Sequence, residues 1–323
     1  MIRLVDNTLT GFDGNMPSKK DLEEFCRLLF AIGADAVEIS IPAYEKMGEL
    51  RVKGNYILQI DYLEDIDKYP GFYRYTCHMD RNIEKMIPDI QINDVREIIK
   101  LRTFAHCSEV RVIGLDDLMC ESYDKTMNEM KRMLCKTRIN FCPENTYHCA
   151  SGLAVQWLLN YGSDVTTSFA GIKNNAATEE VILALRLSVR HKPNRDLSVF
   201  PELSQLFEKI SGCQIGNKKP VIGKNIFKVE SGIHADGILK NPANYEAYEP
   251  EWVGGKSEII IGKHSGTKAV KLKLQELNVN VSNEIIVDNI LKKVKEVCTA
   301  NRTSLSDGEF IRIADEVIAD ERA

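Results

Sequence analysis

The sequence predicts an α/β protein: a TIM (β/α)8-type barrel over residues 1–190, then a loop-rich and helical C-terminal subdomain over residues 191–323. Three observations carry this. Eight short apolar runs recur along the first 190 residues. Stretches of helical period separate most of them, which implies parallel strands joined by crossover helices. After Lys192 the alternation ends, and Pro193, Pro201, Gly212, Gly216, Pro220 and Gly223 punctuate the chain. A barrel usually takes ~250 residues, so units 3–5, the most crowded, are expected to be compressed or incomplete.

The strands are expected at 2–5, 36–41, 56–60, 72–77, 89–92, 109–115, 138–142 and 165–170. Helices are expected at 19–32, 95–104, 123–135, 152–160 and 176–189. The hydroxyl of Ser18 can satisfy free amides in the opening turn of the first of these. Beyond residue 191, the stretches 199–211 and 265–277 read as helices, and 283–300 and 306–318 as amphipathic ones. Ser306 followed by Glu309 has the spacing of a capping box. Gly232, Gly237, Pro250, Gly254 and Gly255 mark the intervening segment as loop-rich.

With 323 residues, 44% of them hydrophobic, the chain can bury a sizeable core. The formal net charge of −5 gives no basic surface that would suggest nucleic acid as a partner. No apolar run is long enough to span a membrane, and the N-terminus has no signal-peptide core, so a cytoplasmic protein is expected. Nine scattered cysteines without a C-x-x-C pair read as reduced thiols, mostly buried.

The strongest motifs lie between Lys219 and Leu277. They are SGIHADG at 231–237, YEAYEPEWVG at 245–254 and GKHSG at 262–266. In order and spacing these blocks resemble the region that follows the barrel in homocitrate, isopropylmalate and citramalate synthases. Weaker resemblance extends back to AVEISIP at 36–42 and to Asp6-Asn7-Thr8-Leu9. Members of this family join acetyl-CoA to a 2-oxo acid. A divalent metal holds the oxo acid and polarises its ketone. A base takes a proton from the acetyl methyl group, and an arginine stabilises the oxyanion.

The resemblance implies that His234 and Tyr245 are catalytic and that Glu230 keeps the family's acidic position ahead of the histidine. Imidazole suits proton transfer near neutral pH. Lys263, His264, Ser265 and Gly266 open a helix whose amides can bind an anion of the acetyl-CoA substrate; a purely structural cap explains the same residues. Lys218, Lys219, Lys224 and Lys228 can attract phosphates or form an ordinary solvated face.

The metal site departs from the family. Its first-strand signature has arginine and then a metal-ligating aspartate where this chain has Thr10 and Gly11. Cys142 and Glu144 stand in place of two ligating histidines, whereas Asn175 matches a ligating asparagine. Residues i and i+2 of a strand share a face, so Cys142, Glu144 and Asn175 could form a rewired site. The preferred reading is a vestigial site, with Cys142 a buried small residue and Glu144 a loop carboxylate.

In this family the segment after one barrel reaches over a second subunit's active site. Some nitrogen-fixing clostridia divide homocitrate synthase between an alpha barrel chain and a chain carrying the C-terminal segment. The sequence resembles the second. The resemblance therefore implies a homocitrate synthase alpha-type partner that holds the divalent metal. A stand-alone condensing enzyme and a non-catalytic scaffold subunit are the other readings.

Overall fold

The computed structural model describes residues 2–12, 16–78, 82–116, 118, 123–241, 244–281 and 283–321, without the side chains of 235, 236 and 239. Eight parallel strands close into a barrel in chain order: β1 (Arg3–Leu9), β2 (Ala36–Ser40), β3 (Tyr56–Gln59), β4 (Arg74–Cys77), β5 (Met86–Ile92), β6 (Glu109–Gly114), β7 (Arg138–Pro143) and β8 (Asp164–Thr167). β8 closes on β1 with Leu4 opposite Val165 and Asp6 opposite Thr167. β1 runs four residues beyond the expected Val5. The polar run Asp6-Asn7-Thr8 stays in the strand because its groups are satisfied internally: the Asp6 carboxylate accepts from the Thr8 amide at 3.0 Å and from the Thr178 hydroxyl at 2.5 Å.

The crossover helices are α1 (Lys19–Ile32), α2 (Ile41–Met47), α3 (Glu64–Lys68), α4 (Tyr123–Met133), α5 (Ala150–Asn160) and α6 (Thr178–Val189). Ser18 caps α1 by accepting from the Asp21 amide at 3.2 Å, and Gly33, at φ 114°, turns the chain out of it. The middle units are reduced. Only the five-residue α3 follows β3, and among the described residues no helix joins β4 to β5. After β5 the expected α-helix is a 3-10 helix, Val95–Phe104. α2 was not expected: Ser40 caps it and Pro42 lies in its first turn, so the chain leaves β2 directly into a helix.

α7 (Phe200–Ser211) packs on α1. The chain divides into two compact units, Met1–Gly223 and Lys224–Ala323, so α7 and the turns after it belong to the barrel unit. The boundary expected near residue 191 falls inside that unit.

The second unit holds the two-stranded parallel sheet β9 (Lys228–Val229) and β10 (Glu258–Ile259), with α8 (Gly232–Lys240), α9 (Thr267–Glu276), α10 (Glu284–Asn301) and α11 (Asp307–Asp320). Its core joins Val270 and Leu274 of α9 to Ile290 and Val294 of α10 and Phe310 of α11. The Ser306–Glu309 capping box forms as the spacing predicts. No helix among the described residues is long and apolar enough to cross a membrane. Cys26, Cys77, Cys142 and Cys298 are buried thiols.

Candidate functional site

At the N-terminal ends of the strands, Arg3 bonds Asp164 and Glu109, and Arg138 reaches Asp164 at 2.6 Å. This network ties β1, β6, β7 and β8 at the closing seam, on the face where barrels keep stability rather than catalysis. Chemistry is expected at the opposite mouth, where β1, β7 and β8 end in the segments of Thr10, Glu144 and Asn175.

Just inside, the Arg111 guanidinium on β6 spans two carboxylates. It bonds Asp89 on β5 at 2.8 and 2.6 Å and Glu38 on β2 through both terminal nitrogens. All three side chains are buried. Burial opposes the ionisation of Glu38, but Arg111, the Thr76 hydroxyl at 2.6 Å and the charge of Lys173 hold its carboxyl below the ordinary range. Burial lifts the Asp89 carboxyl despite the same arginine.

Cys142 lies on β7 beside this network, pointing inward, while its neighbour Phe141 packs outward on Trp157 of α5 at 5.6 Å. Burial pushes the Cys142 thiol up to about 12. Glu144 forms an antiparallel bridge with Asn175, so the structure brings these two together as the sequence suggests. The Glu144 carboxylate accepts from the Gln91 side chain at 3.0 Å, and the Asn175 amide donates to Asn7 at 3.2 Å. Among the described residues the donor set does not fit a divalent metal: Gly11 offers no ligand, and no group of three His, Cys, Asp or Glu has metal-holding geometry.

Lys173 was not singled out in the sequence. It follows β8 in a segment where Ala170, Gly171, Lys173 and Asn174 all have positive φ. Its ammonium donates to the Thr10 hydroxyl at 2.5 Å. Only the fold shows that this lysine comes back to the end of β1.

The second unit carries the other predicted residues. His234 is on α8, and the Tyr245 ring lies 5.6 Å from its imidazole, centroid to centroid, at 54°. A Cβ on Gly237 would collide with the Tyr245 ring, so glycine there lets the phenol lie against α8 beside the histidine. His234 is exposed, Tyr245 is 47% exposed and the adjacent Ile233 79% exposed.

Glu230 does not hydrogen-bond His234. Its carboxylate accepts from the His264 amide at 2.7 Å and from the Ser304 hydroxyl at 3.4 Å, tying two loops together. Ser265 is buried, and its hydroxyl joins the Gly262 amide at 3.0 Å to the Glu230 carbonyl at 3.1 Å. Gly266 starts α9. Lys263 and His264 line a cavity of about 500 Å³ together with Glu230, Arg302 and Ser304. Arg302 and Ser304 went unnoticed because the turn after α10 brings them back to the Gly262–Gly266 loop. Lys219 is paired with Glu180 and Glu179, and Lys228 with Glu258 at 3.3 Å, so these two lysines are not an open phosphate site.

Residues 221–302 match the family described as homocitrate synthase post-HMGL domain-like. The homocitrate synthase omega subunit of Clostridium pasteurianum is 32% identical over 320 residues, covering 92% of this chain and 90% of that protein. The chain belongs to the homocitrate synthase family. The homocitrate synthase AksA of Methanocaldococcus jannaschii is 34% identical over 201 residues, which is 61% of this chain but 49% of that protein. This family member thus aligns with about half the length of its archaeal relative. Among solved structures, hydroxymethylglutaryl-CoA lyase from Pseudomonas aeruginosa superposes with a TM-score of 0.54 at 16% identity, covering 67% of this chain and 94% of the lyase. That likeness shows the barrel fold alone.

Proposed function

We propose that this chain is the omega-type subunit of a two-chain homocitrate synthase, working in the cytoplasm with an alpha-type partner whose barrel holds the divalent metal and 2-oxoglutarate. One observation carries the reading: the His234–Tyr245 pair is assembled and solvent-facing in the second unit, while among the described residues the chain's own barrel mouth has no donor set for the metal. The 32% identity to an omega subunit supports it.

In the reaction the acetyl methyl group of acetyl-CoA loses a proton, its carbon bonds the ketone carbon of 2-oxoglutarate, and the ketone oxygen takes up a proton. Water then cleaves the thioester to release CoA and homocitrate. His234 is placed in trans over the partner's site to move a proton at the ketone oxygen or the methyl carbon, and Tyr245 orients its ring and shares the proton path. Lys263, His264 and the start of α9 face the anionic end of CoA, with Ser265 and Glu230 holding that loop in shape. The product serves the iron–molybdenum cofactor of nitrogenase.

His234→Ala tests the role of the cap. General acid–base groups contribute ~10²–10⁴-fold, so turnover of the mixed complex should fall by about that factor while the complex still assembles. Unchanged turnover would leave the chain a scaffold.

A further inference from the structure

The barrel mouth carries a cation of its own. A Cβ built on Gly11 would lie 3.1 Å from both Cγ and Cδ of Lys173, so the lysine stem lies directly against position 11 and a side chain there would press on it. Its ammonium ends on the Thr10 hydroxyl at 2.5 Å. These are the two positions where the family resemblance places arginine and a metal-ligating aspartate. One residue from the far end of the barrel sequence covers both.

Charge counting points the same way. Arg111 faces the two carboxylates of Glu38 and Asp89, and the Glu144 carboxylate stands at the same mouth, so these carboxylates outnumber Arg111. The Lys173 ammonium, held at the Thr10 hydroxyl, offsets part of this excess. A divalent ion placed beside it would meet an ammonium at short range, which disfavours its binding.

The backbone is committed to this arrangement. Left-handed conformations at Ala170, Lys173 and Asn174 are strained for residues that carry a Cβ, yet three bonds hold them. The Ala170 amide donates to Glu179 at 2.9 Å, the Asn145 amide to the Asn174 carbonyl at 2.7 Å, and the Ser168 hydroxyl to the Ile172 carbonyl. Together they aim the Lys173 side chain back across the mouth to β1.

We infer that Lys173 is a resident cation that replaces the divalent metal in this barrel and excludes it, so that a two-chain enzyme has one metal-bearing mouth per pair. The inference deepens the two-chain reading and rests on its alignment of Gly11. It is tested on this chain alone, so its failure stands apart from a failure of complex formation.

The full chain, freed of metal with a chelator, is titrated with Mn2+ and free ion is followed by electron paramagnetic resonance. The wild type should take up no stoichiometric Mn2+. Gly11→Asp combined with Lys173→Ala restores a carboxylate and removes the cation, and should bind Mn2+ at least about tenfold more tightly than the wild type. One tightly held Mn2+ per wild-type chain overturns the inference, as does a folded double variant that binds no better. If that double variant does not fold, Gly11→Asp combined with Lys173→Ser replaces it, keeping the added carboxylate while removing the charge; a rise in Mn2+ affinity over the wild type supports the inference and an unchanged affinity overturns it.

Discussion

Glu179 is buried at the start of α6, with its carboxylate accepting from the Ala170 amide at 2.9 Å and Lys219 3.5 Å away. Burial pushes its carboxyl from the ordinary 4.5 up to about 7, against the pull of Lys219. The folded chain therefore binds this proton more tightly than the unfolded one. The contribution to stability is full below pH ~4.5 and is lost as pH rises through about 7, a change of about 3 kcal/mol. Asp6, lifted by burial to about 6, adds to the trend. Denaturant melts at pH 5 and pH 8 should show the wild type losing stability between them and Glu179→Gln losing clearly less. Equal losses would show that Glu179 does not titrate in this way. The residues of the second-unit site were legible because blocks such as SGIHADG are contiguous. Lys173 and Arg302 were not, since each acts on a loop far away in the chain and only closure of the fold reveals it.

At the scale of elements, α8 shows how a glycine can mislead. Gly232 and Gly237 read as loop punctuation, yet both lie in the helix that carries His234. Gly237 is there because the Tyr245 ring occupies the space of a side chain. Gly237→Ala should thus leave α8 intact and drive the ring away from His234. The measurement is the chemical shift of the His234 ring protons, which should move toward its value in Tyr245→Leu; an unmoved shift would mean the aromatic contact does not depend on this glycine. The eight strands were legible from apolar runs, because a parallel sheet covered on both faces needs them. Ends were harder. β1 extends through Asp6, Asn7 and Thr8 on internal hydrogen bonds that composition does not show. The middle crossovers shrink to a five-residue helix and a 3-10 helix, so cramped spacing foretold their reduction but not their type.

At the scale of the whole molecule, a barrel unit whose mouth holds Lys173, Arg111 and a protonated Cys142 accompanies a second unit with an assembled histidine–tyrosine pair. On the two-chain reading, a partner barrel completes the chemistry of a condensing enzyme. The most direct test is homocitrate formation from acetyl-CoA and 2-oxoglutarate with a divalent metal, using this chain alone and then mixed with an alpha-type chain. Activity only in the mixture is the predicted result. Turnover by this chain alone would contradict the account and make Cys142, Glu144 and Asn175 the ligands to examine.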